Sequence, residues 1–244
     1  MNTTIPQSGV ADFESAERLF FLRMAYAIAA TVVIGFGGFA ALGISSFSSP
    51  WWVHLHAVSF MAWIALYITQ NTLAYRGELQ HHRRLGRVGA LLAGWMVIMG
   101  LVLTPFTVSV GRVPPVFTPA YFLALDWVNI VCFAALVFTA LHLRRETDWH
   151  RRLMFCATVC VIAPAVGRLQ IIAMNQMSSW VVVGSLLSFV AVGMLADLRR
   201  HHRIHPAYGW GAAAIFIMAP LIDGLPATTL FQNLALQLAG APQP

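Results

Sequence analysis

The chain alternates long runs of apolar residues with short polar segments. Between Met24 and Tyr75 there is no Asp, Glu, Lys or Arg, and the one break is the turn-forming, serine-rich segment 45–50. A membrane helix needs about 20 apolar residues to cross about 30 Å of hydrocarbon. This stretch therefore predicts two membrane spans, one on each side of the break.

The same pattern predicts seven spans along the whole chain. Their approximate bounds are 19–44, 51–75, 88–110, 119–143, 153–174, 180–197 and 207–230. Asp223, Gly224 and Pro226 interrupt the last span, so six spans followed by a re-entrant or interfacial segment is the alternative. The predicted fold is an all-α polytopic membrane helix bundle, with a polar tail over 1–18 and a single transmembrane domain over 19–244.

The composition excludes a soluble globular protein. Hydrophobic residues make up 59% of the chain and charged residues only 10%. A soluble domain carries about 25% charged residues, because its surface has to be solvated.

The positive charge gives the predicted orientation. All 15 basic residues are arginine, and the net charge is +6. Thirteen of them fall on one side of the seven-span bundle: Arg18, Arg23, Arg76, Arg83, Arg84, Arg87, Arg144, Arg145, Arg151, Arg152, Arg199, Arg200 and Arg203. The positive-inside rule puts that side and the N-terminus in the cytoplasm, and so predicts a multi-pass protein of the bacterial inner membrane.

This interpretation changes which partner the charge indicates. The arginines serve as a topology signal that also suits the anionic headgroups of the lipid bilayer, so nucleic acid is not an expected partner. Arg112 falls in an outer loop, which leaves Arg168 as the one arginine whose position within a span requires a physical reason.

The cytoplasmic loops share a short motif. His-Arg-Arg-Leu occurs at 82–85 and again at 150–153, and a degraded copy occurs at 202–204. Each loop joins two spans, so the chain is predicted to contain one leading helix followed by three hairpins. In transporters, binding sites tend to lie at the interfaces between such repeats.

Four ionisable residues lie inside predicted spans: His56, Asp126, Arg168 and Asp223. Each is about five to seven residues from the outer boundary, which at 1.5 Å per residue places all four in one layer about 7–10 Å deep. We call this predicted set the outer polar layer. Ionisable groups within a span are costly and usually functional, so it is the candidate ligand site.

Arg168 can form a bidentate pair with one aspartate of this layer, which leaves the other to be protonated, solvated or paired with histidine. The alternative is that the arginine–aspartate pair is a structural tie between helices.

A second candidate site lies on the inner side. His82, His142 and His150 fall at the ends of three consecutive spans, where neutral imidazoles could hold a haem b. The alternative is that these histidines anchor the helix ends among lipid headgroups. The three cysteines fall within spans and are expected to pack as small apolar residues, so no metal site is predicted from them.

Short motifs spread over roughly residues 50–210 resemble a group of uncharacterised bacterial multi-spanning membrane proteins. The resemblance rests on His54-Leu-His56, on an apolar span that ends near Gln70, and on His82-Arg-Arg-Leu-Gly-Arg87. The later motifs Trp149-His-Arg-Arg-Leu153 and His202-Arg-Ile-His-Pro206 are similar to that group as well. A looser likeness extends to haem-handling bundles such as haem A synthase and the transmembrane ferric reductases, which place histidine pairs on facing helices. Because the outer side of this chain lacks the second histidine, that likeness implies at most one haem, on the inner side.

Three classes of function follow. The first is a small-molecule or proton-coupled transporter or binding protein that uses the outer polar layer for a small molecule still unknown. The second is a haem-binding redox protein with inner histidine ligands. The third is a membrane enzyme or assembly factor without a familiar motif, since the chain has no phosphate-binding glycine loop, nucleophile elbow or His-Glu-x-x-His.

Overall fold

The computed structural model describes residues 7–45 and 48–240, with side chains from Glu14 onward, and in these residues it contains helices and no strand. The helices are α1 (Gln7–Ala41), α2 (Trp51–Tyr75), α3 (Leu79–Ser109), α4 (Pro119–His142), α5 (Thr147–Val161), α6 (Ala163–Met174), α7 (Ser179–His201), α8 (Pro206–Phe216), α9 (Met218–Gly224) and α10 (Thr229–Leu238). The predicted all-α polytopic bundle is confirmed.

Six stretches of the described chain are long and apolar enough to cross a membrane, and a seventh is formed if α5 and α6 are counted as one bent span. These two helices meet at Ile162 with a bend of 44°. Pro164 accounts for the break, because its ring clashes with the carbonyl four residues earlier, that of Cys160, and it offers no N–H to that carbonyl.

The last span, Pro206–Ala227, is interrupted in the same way. Pro220 lies four residues after Phe216, where α8 ends and α9 begins two residues later. The chain then turns at Thr228, whose side-chain oxygen accepts a hydrogen bond from the N–H of Phe231 and so caps α10. The predicted interruption of this span is therefore present, and the residues beyond it form the separate helix α10, which packs on α3 and α4.

Helices α1, α3 and α5 begin earlier than the hydropathy pattern predicts. Helix α3 begins at Leu79 and α5 at Thr147, so His82 and His150 lie inside helices rather than in loops. Helix α1 begins at Gln7 and covers much of the segment predicted as a polar tail, while residues 1–6 lie outside the described residues. The arginine-rich ends of these helices, which the sequence predicts to be cytoplasmic, are therefore helical where loops were expected.

Close backbone contact joins α1 to α6. A Cβ added at Gly35 would lie 2.5 Å from the carbonyl oxygen of Ala165. Only glycine allows the two helices to approach this closely. This contact places Arg168, which is on α6, against the aromatic residues of α1.

Candidate functional site

Arg168 turns toward α1 and not toward an aspartate. Its guanidinium carbon lies 4.1 Å from the centre of the Phe36 ring and 5.3 Å from that of Phe39. Its Nη1 donates to the carbonyl oxygen of Pro164 at 2.9 Å. In the described part of the chain no carboxylate oxygen lies within 4.0 Å of this guanidinium. The predicted bidentate pair is therefore wrong: α6 packs mainly on α1, and the aromatic rings of α1 take up the guanidinium.

Asp126 and His56 nevertheless lie close to Arg168. Arg168 interacts electrostatically with both of them at separations beyond an ion pair. Asp126 accepts a hydrogen bond of 3.2 Å from the hydroxyl of Thr104 on α3, and the His56 ring stacks on Phe60 at 4.3 Å. Three of the four residues of the outer polar layer are thus brought together from α2, α4 and α6.

Asp223 does not pair with Arg168. Both of its carboxylate oxygens accept from the hydroxyl of Ser179 at 2.7 Å, which ties α9 to α7. The residue is exposed. Its exposed surface lies within the candidate span Pro206–Ala227, and its partner is a hydroxyl rather than an arginine.

The region around Arg168 contains buried polar atoms without a partner. Nε of Arg168 and Nδ1 of His56 are buried and make no hydrogen bond within the described residues, and the same holds for Nε1 of Trp52. Trp52 and His56 are four residues apart and so share one face of α2. Since more than 90% of buried polar groups are normally paired, these atoms mark a place where a ligand or water completes the structure.

Sequence reasoning missed Trp52 because a tryptophan at a membrane boundary is typical of the interfacial belt. Its spacing of four residues from His56 was the signal that could have included it.

On the inner side, two of the three predicted histidines line one cavity. The cavity has a volume of about 120 Å³ and lies between α2, α3, α4 and α5. Its lining includes Gln70, His82 and His150, and we call it the histidine cavity. His142 does not line this cavity: it is exposed at the last residue of α4. The predicted set of three therefore reduces to a pair, because His142 points away from the helix interface that holds the other two.

The two rings are held in the same way. Nδ1 of His82 lies 3.2 Å from the carbonyl oxygen of Gln70, and Nδ1 of His150 lies 2.8 Å from that of Ala140. A carbonyl oxygen only accepts, so each Nδ1 carries the proton, and a neutral ring then has its lone pair on Nε2. His82 and His150 are also close enough to interact electrostatically.

A buried ion cluster that the sequence did not predict joins the inner ends of α1, α5 and α7. Arg152 donates to Asp197 through Nε at 2.9 Å and Nη2 at 2.7 Å, and to Glu17 through Nη2 at 2.8 Å. All three residues are buried: Arg152 is 1% exposed, Glu17 2% and Asp197 3%. The sequence pattern assigns Arg152 only to the topology signal and does not predict its burial or its two carboxylate partners.

The same cluster has donors that could ligate a metal. One ligand atom each from Glu17, Asp197 and His201 lie within 4.8 Å of one another. The Arg152 guanidinium donates to both carboxylates, so it supplies the positive charge that a metal would bring. We therefore interpret the cluster as an ion-pair network.

The edge of this network reaches the loop before α8. The backbone N–H of His205 donates to Asp197 at 3.2 Å. Partial burial, and then the positive charge of Arg152, lower the pKa of His205. The backbone hydrogen bond from His205 holds this loop against the bundle.

Comparisons of this chain with models of known protein families, with curated proteins and with solved structures give no match. The resemblance noted over roughly residues 50–210 thus stays a prediction, and the functional argument rests on the sites themselves.

Proposed function

We propose that this chain is a membrane-embedded transporter or binding protein for a small molecule that carries a carboxylate, with its site at His56, Asp126 and Arg168. The observation that carries the proposal is the Arg168 guanidinium, which lies within a span and has no carboxylate oxygen within 4.0 Å among the described residues.

The energetics favour an anionic ligand at this arginine. A charged group in a low-dielectric interior is strongly disfavoured unless it is paired. The rings of Phe36 and Phe39 offset part of this penalty, since one cation–π contact contributes about 0.5–2 kcal/mol. Nε still lacks an acceptor. A carboxylate has two oxygens and matches the planar donor fork of a guanidinium.

Asp126 gives the site its link to protons. A carboxylate bound to Arg168 would lie near the carboxylate of Asp126. The repulsion between these two anions favours the uptake of a proton by one of them. Thr104 is the polar neighbour that hydrogen bonds to Asp126, and the imidazole of His56 lies near Arg168 in the same site. Binding of the anion together with a proton keeps the net charge of the site constant, which is how an electroneutral anion–proton symporter works.

A panel of small carboxylates tests the proposal. The purified protein in detergent is unfolded thermally in the presence of acetate, propionate, lactate or benzoate, each compared with its neutral amide. We expect at least one carboxylate to raise Tm in a concentration-dependent way while its amide does not, because ligand that binds only the folded state stabilises it. Equal shifts with carboxylates and amides, or none with either, would count against the site.

The haem-binding alternative keeps two of its three predicted ligands, His82 and His150. Metal-ligating histidines usually donate their second ring N–H to a backbone carbonyl or a carboxylate, as these two do. The cavity of about 120 Å³ is, however, below the range of about 300–1,000 Å³ found for pockets of larger ligands. We therefore rank haem second, and a Soret band in the purified protein is its test.

A further inference from the structure

The histidine cavity contains an excess of hydrogen-bond acceptors. With each Nδ1–H directed to a backbone carbonyl, the neutral rings of His82 and His150 present Nε2 as acceptors, and neither Nε2 has a partner in the part of the chain that the structure describes. The side-chain oxygen of Gln70 is also buried without a partner. A ligand that completes this cavity must therefore donate hydrogen bonds.

The cavity offers fewer donors in return. Arg151 and Trp63 line it, and among the described residues Nε of Arg151 and Nε1 of Trp63 are buried without a partner. Nη2 of Arg151 pairs with Glu17 at 2.9 Å and with Asp148. A hydroxyl group has one O–H donor and two acceptor lone pairs, so each hydroxyl of a ligand can donate to one of the three acceptors and accept from one of these donors.

The apolar walls and the volume of the cavity indicate which molecular skeleton a ligand can have. The walls are largely apolar and include Trp63, Leu66, Val137 and Leu141. The volume of about 120 Å³ is close to that of an engineered apolar cavity of about 150 Å³ that binds benzene. One six-membered ring fits this space. Apolar walls with a few fixed polar groups are the usual design of a small-molecule site.

We infer that the histidine cavity binds a hydroxylated aromatic ring of the hydroquinone class. The hydroxyl groups donate to Nε2 of His82 or His150 and to the side-chain oxygen of Gln70, and the ring lies between the apolar walls. Such a molecule partitions into the bilayer because its ring is apolar, so it can reach a site between membrane helices. This site is separate from the one proposed at Arg168, and neither depends on the other.

A matched pair of probes tests the inference on the unaltered protein. Hydroquinone and 1,4-dimethoxybenzene have the same ring, but the second has no O–H donor. We expect isothermal titration of the purified protein to give saturable binding of hydroquinone and an affinity for 1,4-dimethoxybenzene that is lower by about tenfold or more. No saturable binding of hydroquinone, or equal binding of the two probes, would overturn the inference.

Variants then locate the binding. His82→Phe and His150→Phe each remove one acceptor and should weaken hydroquinone binding by about tenfold or more. The exposed neighbours provide matched controls, and His81→Phe and His142→Phe should change it by less than about twofold. Equal losses in the controls would place the binding elsewhere. A Soret band in the purified wild-type protein would assign the two histidines to haem and also overturn the inference, and this measurement needs no variant.

Discussion

Two arginines that lie in candidate spans have different surroundings. Arg152 is 1% exposed and donates to two carboxylates, Asp197 and Glu17. Arg168 is surrounded by aromatic rings and one backbone carbonyl, and its electrostatic partner Asp126 lies beyond ion-pair distance. The first arrangement is complete without a ligand and stabilises the fold. The second has an acceptor missing, which is the physical difference between a structural arginine and a binding arginine.

Replacing Arg152 by leucine tests the structural role. The change leaves the carboxylates of Glu17 and Asp197 buried beside each other, and breaking a buried ion pair in this way destabilises a protein by about 3–5 kcal/mol. We expect a clear drop in Tm, measured by thermal unfolding in detergent.

Arg145→Leu is the matched control for this substitution, because Arg145 is exposed on the same side of the bundle. Adding Glu17→Gln and Asp197→Asn to Arg152→Leu should recover part of the lost stability, since the buried charges are then gone. An unchanged Tm in Arg152→Leu would show that the cluster does not stabilise the fold.

At the scale of the helices, the position of the Arg168 site depends on one break and one close contact. Pro164 separates α5 from α6, and the approach of α6 to α1 at Gly35 brings Arg168 onto Phe36. Sequence reasoning predicted the spans because an apolar run of about 20 residues matches the thickness of the hydrocarbon layer and is rare in soluble domains. It did not predict that Arg168 faces α1, because hydropathy does not tell which neighbour a helix packs on.

The glycine contact is testable with a matched pair. Gly35→Val places methyl groups against the backbone of Ala165, whereas a Cβ at Gly37 meets nothing within 4 Å. Overpacking of this kind typically costs about 1–3 kcal/mol, and here the rigid partner is backbone. We expect Gly35→Val to lower Tm well below that of Gly37→Val, and equal values for the two would argue against this helix pair.

At the scale of the whole molecule, charge and depth organise two separate polar regions. The ion cluster and the histidine cavity lie at the ends of the helices that carry the arginine-rich loops, and the Arg168 site lies toward the opposite ends. The pattern of arginines predicted this division into sides, because loop charge correlates with topology. The pattern could not show that Arg152 is buried while other arginines on this side are exposed. The burial of Arg152 depends on its pairing with Glu17, which is 135 residues away in the chain.

Orientation in the membrane is a prediction that labelling can check. Arg112→Cys lies on the turn after α3, and Arg145→Cys lies on the turn after α4, and both positions are exposed while the native cysteines are buried. In intact cells a membrane-impermeant maleimide should label Arg112→Cys, and it should label Arg145→Cys only after permeabilisation. The reverse pattern would invert the proposed topology and place the Arg168 site on the cytoplasmic side.

Whether Arg168 binds a carboxylate is decided by calorimetry of a matched pair of arginine variants. The carboxylate with the largest thermal shift is titrated into wild type, Arg168→Gln and Arg112→Gln, two substitutions that remove the same charge from a span and from an exposed loop. We expect a loss of affinity of about tenfold or more in Arg168→Gln, with Arg112→Gln within about twofold of wild type. Equal affinity in all three proteins would contradict a binding role for Arg168.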